Sequence, residues 1–246
     1  MKKLILLLPL ILTSCSSEYE WAWYILSPGK VTGLTNLKFL LSGMSLTIYI
    51  SVISIVISMF LGFLVAIPSL FKNKFFTYIN IGYVEIVRAV PLLVLILWIY
   101  YGLPIMTGVS FSPFVSGIIA LAISESAFQA EIFRAGINSI KKSQWEAGSS
   151  LGLTFYKILR LIILPQAIKN ILPALGNQFV YVLKMSSLVS IIGIADLTRK
   201  ANELVVTTYR PLEIYTFLIL EYLILILIVS FFVRKLEKRY KQDGNN

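Results

Sequence analysis

The stretch QWEAGSSLGLTFYKILRLIILPQA, residues 144–167, decides the fold because it interrupts a long apolar sequence. It carries Glu146, Lys157, Arg160 and two glycines between two segments that are apolar enough to cross a bilayer. Such a polar stretch does not lie in lipid, so we predict an aqueous loop that returns to the membrane near Leu161. Its first half alternates small and apolar residues, which favours a short helix with one side flat enough to contact another protein. An ordinary solvated loop is the alternative.

The composition predicts an integral membrane protein. Of the 246 residues, 57% are hydrophobic and only 14% are charged, and the mean hydropathy is +0.82. Soluble domains carry roughly 25% charged residues. Several apolar runs reach the ~20 residues that a helix needs to span a bilayer. The fold class is therefore all-α, an integral membrane helical bundle with little mass outside the membrane.

The same counts exclude several functions. Membrane proteins concentrate Lys and Arg in cytoplasmic loops, so the net charge of +10 reports orientation and not a nucleic-acid partner. One cysteine permits no internal disulfide, and the lack of histidine removes the commonest metal ligand, so we expect no metal site. No Gly-x-x-x-x-Gly-Lys-Ser/Thr phosphate loop occurs, so the chain should hold neither ATP nor another cofactor by itself.

The chain divides into four segments. Residues 1–15 begin with two lysines and continue into a short apolar run with the proportions of a signal or signal-anchor. Residues 16–38 place Trp and Tyr among polar residues, which is typical of an external interfacial segment; docking of a partner protein is the less favoured alternative. Residues 39–234 form the membrane domain, and residues 235–246 form a basic tail that ends inside, in contact with lipid headgroups.

Cys15 follows Leu12-Thr13-Ser14, a sequence that resembles a bacterial lipobox. In that interpretation Cys15 is lipidated and becomes the new N-terminus. In the alternative, the segment is a retained signal-anchor and the cysteine is incidental. Both interpretations place the chain after residue 15 outside the membrane.

Five core spans are predicted, over residues 39–71, 79–102, 114–133, 161–183 and 212–233. The first span carries small residues at helical spacing, and such a stripe lets another helix approach closely. The stripe consists of Ser51, Ser54, Ser58 and Gly62.

Features of the second span, and the connections after the second and fourth spans, are also predicted from the residues. Pro91 should loosen the second span because it removes a backbone donor. Glu85 and Arg88 are one turn apart and should form an ion pair. A short external turn should follow at residues 103–113, and a helical connection with mixed charge should lie at residues 189–211, after the fourth span.

The motif in the polar loop resembles the EAA loop of bacterial ABC importer permeases. Glu146-Ala147, Leu151-Gly152 and Leu164-Pro165-Gln166-Ala167 carry the resemblance, and Gly148 departs from the usual second alanine. Gln144-Trp145 is similar to the polar amino-acid branch of that family. The resemblance implies the type I importer permease fold with a cytoplasmic coupling helix. It assigns the contacts with an ATPase subunit to Trp145, Glu146, Ala147, Gly148, Leu151 and Gly152.

The resemblance also implies a function and partners. The chain would be a permease subunit that forms the path for polar amino acids through the bacterial inner membrane, with its C-terminus in the cytoplasm. Its partners would be ABC ATPase chains that hold ATP and Mg²⁺, a second permease subunit, an external amino-acid-binding protein and membrane lipids. An ion-coupled secondary transporter or a channel subunit is the alternative, but the sequence shows neither an inverted repeat nor a filter motif.

Polar residues in the third and fourth spans are the candidate substrate path. Glu125 and Gln129 share one helix face, and an ionised group inside a span usually faces a cavity or a partner. A hydrogen bond between packed helices is the alternative for Glu125. The family pattern Leu-Lys-Asp-Thr-Ser-Leu changes to Met185-Ser186 at its acidic position, and one hypothesis is that Glu125 compensates. The candidate set is Glu125, Gln129, Asn177, Gln178, Lys184 and Ser186.

Overall fold

The computed structural model describes residues 19–70 and 74–242. Within these two ranges every regular element is helical. Four helical stretches are long and apolar enough to cross a membrane, and a bent pair of helices supplies a fifth. The predicted all-α bundle with five spans is confirmed. The signal-like residues 1–15, including Cys15, lie outside the described part of the chain.

The described chain begins with a 3₁₀ turn at Trp23–Leu26, helix α1 at Val31–Leu41 and helix α2 at Gly43–Leu70. Helix α1 starts inside the segment that the sequence assigned to an external interface, and only Ser42 separates it from α2. Hydroxyl groups are accommodated in α2 because they donate to carbonyls one turn earlier. Ser51 donates to Thr47 at 2.7 Å and Thr47 donates to Gly43 at 3.1 Å.

The second span is broken into helix α3 at Lys74–Ala89, helix α4 at Leu92–Leu97, a π-helical turn at Trp98–Gly102 and helix α5 at Leu103–Thr107. The two halves meet at an angle of 91°. The expectation of one loosened helix is wrong here, because Pro91 disfavours the helical conformation of Val90 as well as lacking a donor. Both residues leave the helix, and Pro91 has a ψ of 131°. The external turn expected from residue 103 is helical as far as Thr107.

The central part of the chain contains helix α6 at Pro113–Asn138, helix α7 at Lys142–Ser150, helix α8 at Phe155–Ile158, a π-helical turn at Leu159–Ile163 and helix α9 at Leu164–Met185. Helix α6 begins sharply because Ser112 caps it, accepting the Val115 N–H at 3.3 Å, and because Pro113 takes the first position. The polar loop of the sequence is thus α7, the turns after it and the start of α9.

The chain ends with a 3₁₀ turn at Ser186–Ile192, helix α10 at Leu197–Thr208 and helix α11 at Pro211–Gln242. Helix α10 is the helical connection that the sequence predicts. Asp196 caps its start by accepting the Arg199 N–H at 2.8 Å. Burial raises the pKa of the Asp196 carboxyl to about 6, and this backbone hydrogen bond opposes the shift.

Helices α2 and α6 form the most extensive contact of the bundle. The stripe predicted from the sequence lies in this contact: Ser51, Ser54 and Ser58 are fully buried. At Gly62 an added Cβ would lie 2.5 Å from Cβ of Gln129, closer than two carbon atoms can approach. The close approach of these helices therefore depends on small side chains.

The residues before α1 fold back on the start of α11. Tyr19 donates to a carboxylate oxygen of Glu213, and the backbone N–H of Ala22 donates to the other at 2.6 Å. Ile25 and Leu26 are buried in a cluster with residues of α1, α10 and α11. The first described residues are thus held against the start of α11.

The predicted ion pair between Glu85 and Arg88 is wrong. Among the described residues, the three ion pairs are Glu131–Arg134, Lys142–Glu146 and Arg199–Glu203. The Arg88 guanidinium instead lies 4.8 Å from the ring centroid of Phe128 on α6. An aromatic face attracts a guanidinium group, so the arginine finds its contact across the helices.

We expect Gly62→Val to destabilise the bundle, because the new side chain would push α6 away from α2. The loss in the free energy of unfolding should be about 1–3 kcal/mol, the usual cost of overpacking a core. The matched control is Gly82→Ala on α3, where an added Cβ meets nothing within 4 Å. Thermal unfolding in detergent should show a lower midpoint for Gly62→Val alone, and equal midpoints would contradict the close packing.

Candidate functional site

Helix α7 ends at a defined point. Gly152 has a φ of +70°, the left-handed conformation that glycine adopts without a steric penalty. The Gly152 N–H donates to the Ser149 carbonyl at 2.9 Å, and the Leu153 N–H donates to the Gly148 carbonyl at 3.2 Å. These two bonds are the Schellman arrangement that terminates a helix. Gly152 therefore sets where α7 stops.

The inner side of α7 rests on a rigid base. Gly148 is buried, and an added Cβ would lie 2.8 Å from Cγ1 of Ile158 and 3.1 Å from Cδ1 of Ile162. The rings of Trp145 and Phe155 stack at 5.4 Å between centroids. The base continues into a buried cluster that joins the ends of α6 and α9, formed by Ile137, Ile158, Leu159, Ile163, Ala167 and Ile171.

The outer side of α7 is uncovered. Leu151 is 77% exposed, and the Glu146 side chain is 64% exposed although it pairs with Lys142 at 3.4 Å. An exposed pair of this kind adds little to stability. Beside it lies a groove of 590 Å³, lined by Lys142, Trp145, Glu146, Ser149, Ser150, Leu153, Phe155 and Ile158. The structure thus presents a short helix with a packed inner face and an outer face that combines charges with apolar surface.

Of the six proposed coupling residues, the structure places five in this surface or its base and one, Gly152, beyond the end of α7. Trp145 and Gly148 belong to the base, and Glu146 and Leu151 to the outer face. Gly152 is exposed and acts through its backbone conformation, since no atom lies within 4 Å of an added Cβ. Ala147 is exposed beside Glu146 and therefore belongs to the uncovered side of α7.

In the substrate-path set, the structure brings together Glu125 and Gln178. Glu125 is 1% exposed, and its Oε2 accepts a hydrogen bond from the Gln178 amide, which links α6 to α9. In this conformation Glu125 therefore makes the bond between packed helices that the sequence left as an alternative. A buried carboxylate held by one neutral donor remains costly, which marks the pair as a functional candidate.

The other members of the set are dispersed. Gln129 is fully buried toward Gly62, and neither of its amide atoms has a hydrogen-bond partner. Asn177 donates to Glu237 of α11 at 3.2 Å, which is a helix-to-helix contact. Lys184 is exposed, whereas Ser186 is buried and donates to the Leu183 carbonyl at 2.9 Å. These residues form no single site.

A strip of aromatic and basic residues crosses α3, α6 and α9, and it was not predicted from the sequence. Arg88 lies over Phe128, and the Phe128 and Tyr181 rings are 6.4 Å apart. Arg88 and Tyr181 are exposed, so the strip faces away from the bundle interior. The sequence carried no signal that selects Phe128, since Glu85 is one turn away from Arg88 and is the expected local partner.

The described residues contain no group of three or more His, Cys, Asp or Glu side chains that could hold a metal ion. The polar loop, the outer face of α7 and the Glu125–Gln178 pair are thus the chemically distinctive features of residues 19–70 and 74–242. Their properties suit contact with a protein and with a polar solute.

Comparison with known proteins shows extensive similarity. Residues 55–242 match the family of the binding-protein-dependent transport system inner membrane component. The glutamine transport system permease protein GlnP of Escherichia coli (strain K12) is 34% identical over 206 residues, which are 83% of this chain and 94% of that protein. The arginine transport system permease protein ArtQ of Bacillus subtilis (strain 168) is 33% identical over 210 residues, which are 85% of this chain and 96% of that protein.

Solved structures agree with these matches. A chain from the crystal structure of an amino acid ABC transporter with histidines is 39% identical, with a TM-score of 0.79, covering 84% of this chain and 96% of that chain. A chain of the MetNI methionine ABC transporter in an inward-facing conformation has a TM-score of 0.74, covering 84% of this chain and 98% of that one. Its identity is 18%, so it shows the fold alone.

We expect Gly152→Ala to loosen the end of α7, because an alanine at this φ costs roughly 1–2 kcal/mol. The amides that close the helix should exchange hydrogen faster, by up to about tenfold for each 1.4 kcal/mol lost. Hydrogen exchange read by mass spectrometry on peptides of α7 measures this effect. Ser150→Ala, an exposed change in the same helix, is the control, and equal protection in both variants would contradict the role of Gly152.

Proposed function

We infer the function from a family relation: the chain belongs to the inner membrane components of binding-protein-dependent transport systems. It is a permease, a membrane-embedded subunit of a transport system. We propose that it imports polar amino acids through the bacterial cytoplasmic membrane, driven by ATP on a partner chain. The single observation that carries the coupling step is α7, whose buried base and uncovered outer face suit a protein partner.

Support for polar amino acids comes from two sources. The relatives are named for glutamine and arginine transport, and the 39% identical structure is titled an amino acid ABC transporter. Within this chain, the hydrogen-bonded pair of buried Glu125 and half-buried Gln178 supplies a carboxylate and an amide where α6 packs on α9. A change of helix packing would release both groups to a solute with an amine or amide. We propose these two residues as the first contacts of the path.

The proposed assembly contains two permease subunits, identical or paired, and two ATPase chains that bind ATP and Mg²⁺. An external binding protein delivers the amino acid. Helix α7 and the basic tail would face the cytoplasm, since cytoplasmic segments carry an excess of Lys and Arg. Residues after 15 would then emerge outside, and Cys15 would be lipidated there if the lipobox interpretation holds.

Coupling requires that a movement of the ATPase chains reaches the spans without loss. The buried contact of Gly148 with Ile158 and Ile162 ties α7 to the start of α9. The same cluster includes Ile137 near the end of α6. Closure of the ATPase chains would therefore move both helices together, and α6 carries Glu125. ATP binding can shift the spans from one state to the other only through contacts that differ in free energy between the open and closed states.

The alternative of an ion-coupled secondary transporter or a channel subunit has no observation in its favour. The family match covers residues 55–242, and the relatives are permease proteins of transport systems. Uptake that persists in vesicles without any nucleotide, while an ion gradient is imposed, would revive that alternative.

We expect Leu151→Glu to disrupt docking of the ATPase without unfolding the permease, because the side chain is 77% exposed. A buried charge at a protein interface typically costs 2–5 kcal/mol, so uptake and stimulated ATP hydrolysis should fall by more than about tenfold. Val206→Glu on α10 is the control: it is 69% exposed and lies beyond the opposite end of α9. Full uptake by the Leu151 variant in the reconstituted complex would overturn the docking assignment.

We expect Glu125→Gln to alter the response to substrate. Hydrogen bonds to a charged group contribute about 1.5–3 kcal/mol, so ligand-stimulated ATP hydrolysis should require roughly tenfold more ligand-loaded binding protein, or fail to saturate. The control is Glu221→Gln on α11, which neutralises another buried acid of the spans. Unchanged stimulation in Glu125→Gln would remove this residue from the path.

A further inference from the structure

A groove lies on the surface of the bundle between α9 and α11. Its volume is 510 Å³. The two helices touch beside it, since an added Cβ at Gly176 would lie 2.7 Å from Cγ1 of Val233. The residues that line it are Phe179, Val229, Phe232, Val233, Lys235 and Leu236. All of them are apolar except Lys235, so the groove is an apolar channel with one cationic end.

The groove has the dimensions of part of a lipid chain. Val229 and Lys235 are six residues apart on α11, which corresponds to about 9 Å along the helix axis. The apolar walls therefore extend over several methylene groups from the lysine. Phe232 and Leu236 are exposed along this length, so the groove opens outward and not into the bundle.

The charge around the groove is positive. Lys235 lies within a run of basic residues at the end of the last span, and Arg234 and Lys238 are exposed beside it. The acidic residue of this region, Glu237, accepts a hydrogen bond from Asn177 at 3.2 Å and does not line the groove. An occupant with an anionic head and an apolar tail would match both ends.

The surface around the groove indicates that the occupant is a lipid and not a protein. Leu227, Ile228 and Phe231 are exposed on the same long helix, as expected of a span that faces hydrocarbon. A symmetric contact with a second copy of this chain would bring two basic tails together, and like charges at an interface are unfavourable. Basic pockets between spanning helices bind anionic lipid headgroups.

We propose that this groove is a binding site for an anionic phospholipid, with Lys235 contacting the phosphate and Phe179, Val229 and Phe232 contacting an acyl chain. A defined site of this kind holds one ordered lipid for each chain, whereas a general attraction between basic residues and headgroups has no fixed number of lipids. It lies apart from α7 and from the Glu125–Gln178 pair. The proposal rests on the membrane fold alone and stands even if the transported solute is different.

The test uses the full chain, purified in detergent and exchanged into nanodiscs of phosphatidylcholine with added phosphatidylglycerol. Native mass spectrometry then counts the phosphatidylglycerol that stays bound after release from the disc. Wild-type protein should retain one such lipid for each chain. Lys235→Gln should weaken retention by about fivefold, as expected for the loss of one headgroup charge. Arg234→Gln removes a charge at the same depth outside the groove and should retain wild-type binding.

A second pair of variants tests the apolar walls. Val229→Trp should fill the groove and abolish retention, whereas Ile228→Trp adds the same ring on an exposed face and should leave retention unchanged. Equal losses in Lys235→Gln and Arg234→Gln would overturn the proposal in favour of general attraction to basic residues.

Two further outcomes would also overturn it. Release of the lipid by millimolar inorganic phosphate would show a free-phosphate site without an acyl-chain contact. The other outcome combines two results: the wild type retains no lipid, and Val229→Trp changes the permease from two subunits to one. That outcome would show that a second copy of the chain covers the groove.

Discussion

The contact of Gly148 with Ile158 and Ile162 is the interaction on which the functional part of the structure depends. It holds α7 against the turns that lead into α9, and a single added methyl group at this position has no room. Because the inner face of α7 is packed, its outer face is fixed in direction, and Leu151 and Glu146 stay uncovered. A loop that moved freely on the membrane surface would transmit no force to the spans.

The buried cluster beneath α7 continues directly into the packing of the membrane-spanning helices. Ile171 of α9 packs in the same cluster as Ile137 of α6, and α6 in turn packs closely on α2 along the stripe that ends at Gly62. The small side chains of the stripe let α6 and α2 pack with little free space between them. Displacement of α7 is thus expected to reach both α6 and α9, the two helices that the Glu125–Gln178 hydrogen bond joins.

Much of this could be predicted from the sequence, because the bilayer restricts what an apolar run can do. The spans, the serine stripe and the short helix in the polar loop follow from length, spacing and charge. The 91° break at Val90-Pro91 could not be predicted, since proline in a span is compatible with a mild bend as well as a full break. The partner of Arg88 was missed because a local pairing with Glu85 competes with a ring on another helix, and only the packing decides between them. The packing role of Gly148 could not be predicted either, because its neighbours Ile158 and Ile162 come from later turns of the chain.

The most direct measurement combines labelling and crosslinking at one position on α7. In a variant without Cys15, Leu151→Cys would be exposed to a membrane-impermeant maleimide from each side, and then to a short bifunctional reagent in the assembled complex. Labelling from the cytoplasmic side alone, with a crosslink to a nucleotide-hydrolysing chain that protects the cysteine, is the predicted result. Labelling from the external side, or the lack of any crosslink to such a chain, would contradict the proposed coupling.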